Sequence, residues 1–355
     1  MIPFLKDRIK DYDANQFINE LVDASKLLGE LDAKIAGCKF NSVLMPMLHQ
    51  KEALASMYIE GTQTTYSEML KEEVKEKNSG KKAFVEYTNH LSALSKGADY
   101  LKMEVFSNAF IRKIQEVMLN GIVPPEKEHI LGRYKEEQNF IVNSNGKVVF
   151  EPPSPQETGK YMNDLLDYMN NFADGENPLI KAAVAHAQFE SIHPFADGNG
   201  RVGRALISLY MYKAKLIRYP YFYLSEAISE DKLMYYNSLT SSREGSLTIW
   251  ITYFLRKVVA QAKKHIQYID SMDNLYERTK VAVKELVNSP KYEAIIESLF
   301  KRPLITSSIL ADRLNVTVGQ AKRYLDLLES KRILFAFEGK KNKRFIFSEL
   351  LDLMR

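Results

Sequence analysis

Residues 193–204 read HPFADGNGRVGR, and this run decides how the rest of the chain is read. It places a histidine, an acid, a glycine-rich turn and two arginines within about three helical turns. Gly198 and Gly200 lack a Cβ, so they allow positive φ and let a ligand come close to the backbone. From Asn199 onward, Val202, Leu206, Leu209, Tyr210 and Leu216 recur at helical spacing, so the glycines stand where a helix begins. Free amides and the positive end of the dipole make that point an anion site. Arg201 and Arg204 are three apart, share one face of the first turn and can fork onto phosphate oxygens. Asp197 suits a magnesium ion that also binds substrate phosphates. His193 can exchange a proton near neutral pH, and Pro194 ends the preceding helix. Together these parts point to phosphate chemistry. Gly198, Gly200 and Gly203 also spell GxGxxG, but the dinucleotide fingerprint follows a β-strand. Here LIKAAVAHAQFESI (179–192) reads as a helix, which argues against it.

The run resembles the signature of Fic-domain proteins, HxFx(D/E)GNGRxxR, and matches it at every specified position. Members of that family transfer AMP from ATP onto a hydroxyl side chain of a target protein. The resemblance implies a role for each residue. His193 would be the base that takes the proton of an incoming Ser, Thr or Tyr hydroxyl. Asp197 would hold Mg2+ between the α- and β-phosphates. Asn199 and the amides around Gly198 and Gly200 would form an anion hole. Arg201 and Arg204 would hold the β- and γ-phosphates, with Val202 and Gly203 completing the nucleotide-binding run. Phe195 would anchor the loop in the core. Relatives that transfer phosphate carry a lysine in the glycine-rich part. Gly200 and Arg201 stand in its place here, which favours nucleotidyl transfer.

The chain has 355 residues, 45% hydrophobic and 26% charged, enough for two or three globular domains. No apolar run is long enough to span a bilayer. The first residues, MIPFLKDRIKDYD, carry charges through any apolar stretch and do not read as a signal peptide. A single cysteine, Cys38, excludes an internal disulfide and a cysteine-based zinc site, and fits a cytoplasmic protein. Net charge is +4, and residues 291–355 alone hold 13 Lys and Arg against 8 Asp and Glu.

Most segments read as helix, including 14–37 and 105–121. Around 140–150, FIV and KVVF flank NSNG, and Asn-Gly is a strong hairpin signal. A proline-rich EPPSPQE and a helix from about Gln156 to Asn170 follow. Fic proteins carry a β-hairpin flap ahead of the signature, where a target strand is added, so Phe140–Phe150 is assigned to it. The resemblance also places a Tyr-Tyr pair at the adenine, which assigns Tyr236 and, behind it, Tyr235 in DKLMYYNSL (231–239).

Upstream, EALASMYIEGTQTT (52–65) contains Ser56, Glu60 and Gly61, which match the inhibitory pattern (S/T)xxxE(G/N) of the same family. Taken alone they would equally suit a helix end stopped by glycine. With the signature present, Glu60 is expected to pair with Arg204 and keep it from the γ-phosphate. In some relatives this glutamate serves AMP removal instead, and that reading stays open.

From about Pro290, three helices capped at Thr306 and Thr317, with short strands ILFAF and RFIF around EGKKNK, resemble a winged helix. Lys322, Arg323, Lys340, Lys341, Lys343 and Arg344 would give it a basic face. DNA and protein partners both stay open for it. The expected architecture is mainly α: an N-terminal helical region (1–100) with the inhibitory motif, a Fic-type helical core (101–270) with its hairpin, and an α+β winged helix (285–355). The expected activity is a self-inhibited adenylyltransferase using ATP and Mg2+ on a target protein and on itself. A DNA-binding regulator with a nucleotide-sensing core is the alternative. A homodimer stays open.

Overall fold

The computed structural model describes residues 2–8, 12–38, 41–73, 81–142, 145–337 and 343–354. The chain divides into two compact units, one from residues 1–33, 48–64 and 80–263, the other from 34–47, 65–79 and 264–355. The longer helices up to residue 287 are α1 (Ile18–Gly37), α2 (Asn41–Ile59), α3 (Lys82–Met103), α4 (Asn108–Leu119), α5 (Pro155–Asn170), α6 (Pro178–Ile192), α7 (Asn199–Lys213), α8 (Lys232–Arg243) and α9 (Leu247–Val287). The helix expected from residue 14 starts instead with a 3-10 turn, Ala14–Phe17, because Asp13 caps it by accepting from the Asn15 amide at 3.0 Å.

The centre of the first unit is the α6–α7 pair. Asn177 caps α6, accepting from the Leu179 amide at 2.9 Å, and Pro178 fills the first helical position, where its missing N–H costs nothing. Every residue from Leu179 to Ile192 is buried, so this helix has no solvent face. Gly97 lets α3 approach this centre. A Cβ there would lie 3.0 Å from both Ile114 and Leu209. A helical glycine costs about 1 kcal/mol against alanine, and close packing offsets it. His186 of α6 ties the core together. Its Nδ1 lies 3.0 Å from the Gly203 carbonyl and its Nε2 2.9 Å from the Tyr235 hydroxyl. Burial lowers its pKa to about 3, so it is neutral. A carbonyl can only accept, so Nδ1–H donates to Gly203 and Nε2 accepts from Tyr235.

The expected hairpin forms. β1 (Ile141–Val142) pairs antiparallel with β2 (Val148–Phe150), Ile141 opposite Phe150. Residues 143 and 144 of its turn lie outside the described residues.

In the second unit, α10 (Tyr292–Lys301) leads to β3 (Leu304–Thr306), α11 (Ser307–Leu314), α12 (Val318–Ser330), β4 (Phe335–Phe337) and β5 (Arg344–Ile346). The sheet order is β3-β5-β4, all antiparallel. Thr306 and Thr317 cap α11 and α12, accepting from the Ile309 and Gln320 amides at 3.3 and 3.2 Å. Lys343 is held by Asp326 at 3.4 Å and by Glu329. Lys340 and Lys341 lie outside the described residues.

Candidate active site

The signature run forms the loop between α6 and α7 and the first two turns of α7. The chain leaves α6 at His193, which adopts the left-handed conformation (φ 47°, ψ 61°). Phe195 is fully buried, its ring 5.4 Å from Tyr134 and 6.4 Å from Phe189, and so anchors the loop as expected. Gly198 begins α7 at φ 88°, a conformation that favours glycine. The first amides of α7 have no intrahelical acceptor. The side chain of Asn199 does not join them. Its Nδ2 donates to the Phe195 carbonyl at 2.7 Å and its Oδ1 accepts from the Phe195 amide at 2.8 Å. The Asn199 side chain therefore braces the loop, and any part Asn199 has in an anion hole falls to its backbone amide.

His193 is half-buried, and its Nδ1 is buried without a well-formed hydrogen bond. Burial, with the positive charges of Arg243 and Lys135, lowers its pKa to about 4, against the Glu190 carbonyl and Glu60, which act to raise it. The imidazole is thus neutral and able to accept a proton at ordinary pH.

Both arginines already hold carboxylates. Arg204 is 3% exposed. Its Nε donates to Ser56 Oγ at 3.1 Å, and its NH2 donates to the Ser56 carbonyl at 3.1 Å and to Glu60 Oε1 at 2.7 Å. Burial opposes the charge of Arg204, but Glu60, Tyr235 and Glu190 more than restore it. Burial pushes Glu60 up, while Arg204, Arg201 and Lys232 hold it below the usual carboxylate range. Glu60 occupies the space above Gly200, where a Cβ would fall 2.4 Å from its Oε1. Gly61 follows at φ 95° and stops the helix. Arg201 donates to Glu86 Oε1 at 2.7 Å and to Asp197 Oδ1 at 3.1 Å. Asp197 is 54% exposed, and no cluster of three metal-ligating side chains occurs among the described residues. A lone, accessible carboxylate fits an ion that arrives on a nucleotide's phosphates, and does not make a metal cage by itself. Val202 is fully buried in the α7 core, so its side chain cannot touch a ligand and only its backbone belongs to the site. A Cβ on Gly203 would meet Glu190 Oε1 at 2.3 Å, so this glycine serves close packing of α7 on α6.

The tyrosine pair divides. Tyr236 is 44% exposed and within the electrostatic reach of Glu60 and Arg204. Tyr235 is 1% exposed and bonded to His186, so it is corrected from a nucleotide contact to the floor beneath Tyr236, with ring centroids 5.2 Å apart.

A cavity of about 790 Å³ opens beside the loop, lined among others by Glu60, Glu86, Lys135, Asn139, Asp197 and Arg201. Three of these, Glu86, Lys135 and Asn139, belong to no motif. Glu86 stands 115 residues before Arg201 in the chain, and no local pattern marks it. Arg243, outside that lining, likewise belongs to no motif. It lies 4.9 Å from the Phe150 ring of the hairpin and donates to the Glu190 carbonyl at 3.3 Å.

A model of the Fic/DOC family matches residues 105–211, and the model of that family's N-terminal region matches residues 18–99. The chain belongs to the Fic/DOC family. It is 30% identical over 149 residues to "Protein adenylyltransferase fic-1" of Caenorhabditis elegans, a stretch that is 41% of this chain and 28% of that protein. It thus spans under a third of that relative's length. A probable protein adenylyltransferase of Aquifex aeolicus is 23% identical over 263 residues, covering 74% of this chain and 76% of that one. Among solved structures, a Fic family protein from Desulfovibrio desulfuricans superposes with a TM-score of 0.63 at 18% identity, covering 95% of this chain and 97% of that one. Fic-1 of C. elegans gives 0.54 at 19% identity, covering 72% of this chain and 75% of that one. These likenesses show the Fic fold. Among the described residues, no helix is long and apolar enough to cross a membrane.

Proposed function

We propose that this chain is a self-inhibited protein adenylyltransferase that moves AMP from ATP to a hydroxyl of a target protein. The observation that carries the reading is the single guanidinium of Arg204. It lies on the second turn of α7, next to the helix N-terminus where phosphate would bind, yet Glu60 and Ser56 engage it. An anion site filled by a carboxylate from another element is a site with a stopper in it.

In the transfer step, neutral His193 takes the proton of the target hydroxyl. Its Nδ1 is buried, so Nε2 is the accepting atom. The hydroxyl oxygen attacks the α-phosphorus, the bond to the bridging oxygen of the β-phosphate breaks, and pyrophosphate leaves. Such in-line displacement needs positioning and charge neutralisation more than covalent help. The free amides of α7 with Arg201 and Arg204 supply both. Asp197 would hold Mg2+, which neutralises phosphate charge when bound. Tyr236 would cover the base, and the exposed hairpin, with Val142, Val148 and Val149 about half accessible, would seat the target as an added strand.

With Glu60 docked, Arg204 spends its Nε and NH2 donors on Ser56 and Glu60, so ATP would bind with its α-phosphate misaligned. A displacement of about 1 Å can cost roughly 10²-fold in rate.

The test is to incubate wild type, Glu60→Gly and His193→Ala with ATP labelled at the α- or the γ-phosphate. Retention of the α-label alone, lost in His193→Ala, is expected. Retention of the γ-label would make the enzyme a kinase. Loss of AMP from a pre-labelled target in wild type, abolished in Glu60→Gly, would reassign Glu60 to AMP removal.

A further inference from the structure

The loop that carries His193 leaves four successive carbonyls beyond the regular hydrogen bonding of α6, those of Ile192, His193, Pro194 and Phe195. All four accept hydrogen bonds from one short segment ahead of the hairpin. Lys135 Nζ donates to the Ile192 carbonyl at 3.3 Å, and the Lys135 amide donates to the Pro194 carbonyl at 2.8 Å. Asn139 Nδ2 donates to the His193 and Phe195 carbonyls, each at 3.0 Å. Lys135 Nζ also donates to Asn139 Oδ1 at 2.7 Å. An ammonium can only donate, so this last bond fixes which end of the Asn139 amide faces the loop. The orientation is set by chemistry.

We propose that Lys135 and Asn139 are positioning residues for the transfer step: they splint His193 in its left-handed conformation and join the catalytic loop to the hairpin. The proposal rests on the reading of His193 as the base. A non-glycine residue at φ 47° persists only where its surroundings over-determine it, and these bonds are those surroundings. Lys135 is 4% exposed, so its charge is held against the loop and not in solvent. Asn139 stands two residues before β1. Its neighbour Gln138 donates to the Pro152 carbonyl at 2.9 Å and closes the foot of the hairpin just beyond β2. A target strand laid on the hairpin is therefore two residues from the amide that aims the base.

Four groups set the electrostatic environment of His193: Arg243 from α8, Lys135, Glu60 after α2, and the Glu190 carbonyl of α6. Lys135 is one of two cations there. Its removal moves the imidazole pKa upward, towards the ordinary value, whereas a purely structural lysine would leave it in place.

The experiment places Asn139→Ala, Asn139→Asp and Lys135→Met in the Glu60→Gly chain. Asn139→Asp keeps the acceptor for Lys135 and loses both donations, so it guards against a variant that simply fails to fold. Both Asn139 variants are expected to lower kcat on the order of 10²-fold with KM for ATP unchanged. Lys135→Met is expected to shift the acid limb of kcat/KM and the NMR titration of His193 to higher pH. Parent kcat in both Asn139 variants, or an unshifted His193 titration in Lys135→Met, overturns the proposal. If the Glu60→Gly parent itself transfers no AMP, the enzymatic reading has failed, and the titration still decides whether Lys135 acts on His193.

Discussion

His193 and Arg204 show how much of this site a short run of sequence can specify. The histidine, the acid, the glycines and the arginines stand out in the sequence because each is a residue type that phosphate chemistry would demand, all within twelve positions. The tasks themselves divided differently once neighbours were fixed. Asn199 was expected at the anion and instead braces Phe195, because a buried amide takes the nearest backbone partners it can satisfy. Tyr235 was expected at the nucleotide and is committed to His186. One consequence at this scale concerns pH. A base must be neutral to act, and a lowered pKa widens the neutral range towards acid. The acid limb of kcat/KM in the free enzyme is therefore expected nearer pH 4 than pH 6.5, measured on the Glu60→Gly chain. An acid limb at 6.5 would show that burial does not govern this imidazole.

Helix periodicity announced most helices, and the Asn-Gly turn announced the hairpin. What no local pattern could announce is which helix meets which. Glu86 on α3 is a plain helical glutamate until α7 brings Arg201 to it, and the pair is then almost wholly buried, with side chains 7% and 9% exposed. Thr62, two residues past Glu60, donates its hydroxyl to the other oxygen of Glu86 at 3.1 Å. Removing one partner of a buried pair leaves an uncompensated charge and costs about 3–5 kcal/mol. Asp197 remains as a second, exposed partner of Arg201, so Glu86→Ala is expected to destabilise the chain by about 3 kcal/mol in a denaturant melt. A loss within error of zero would mean that α3 does not neutralise Arg201.

At the scale of the whole molecule, the charge excess of the last residues left a nucleic-acid and a protein partner both open, and side-chain pairing takes up one lysine of the basic face. Lys343 is taken up by Asp326 and Glu329 of α12, so part of the basic face is already neutralised. We propose a protein partner for the C-terminal region, with DNA binding as the alternative that the next measurement decides. Binding to generic duplex DNA is expected to be weak and to change little with salt, whereas each phosphate contact would add about 0.9 to the log–log salt slope. A steep slope would restore the nucleic-acid reading. The family assignment leaves open which protein carries the acceptor hydroxyl. The proposed restraint on the resting chain is that Glu60, which Arg204 NH2 reaches at 2.7 Å, competes with the γ-phosphate for that guanidinium. The most direct measurement is the initial rate of α-label transfer by Glu60→Gly against wild type at equal ATP and Mg2+. A rate higher on the order of 10²-fold is expected from realigning the α-phosphate. An equal or lower rate would contradict the competition for Arg204.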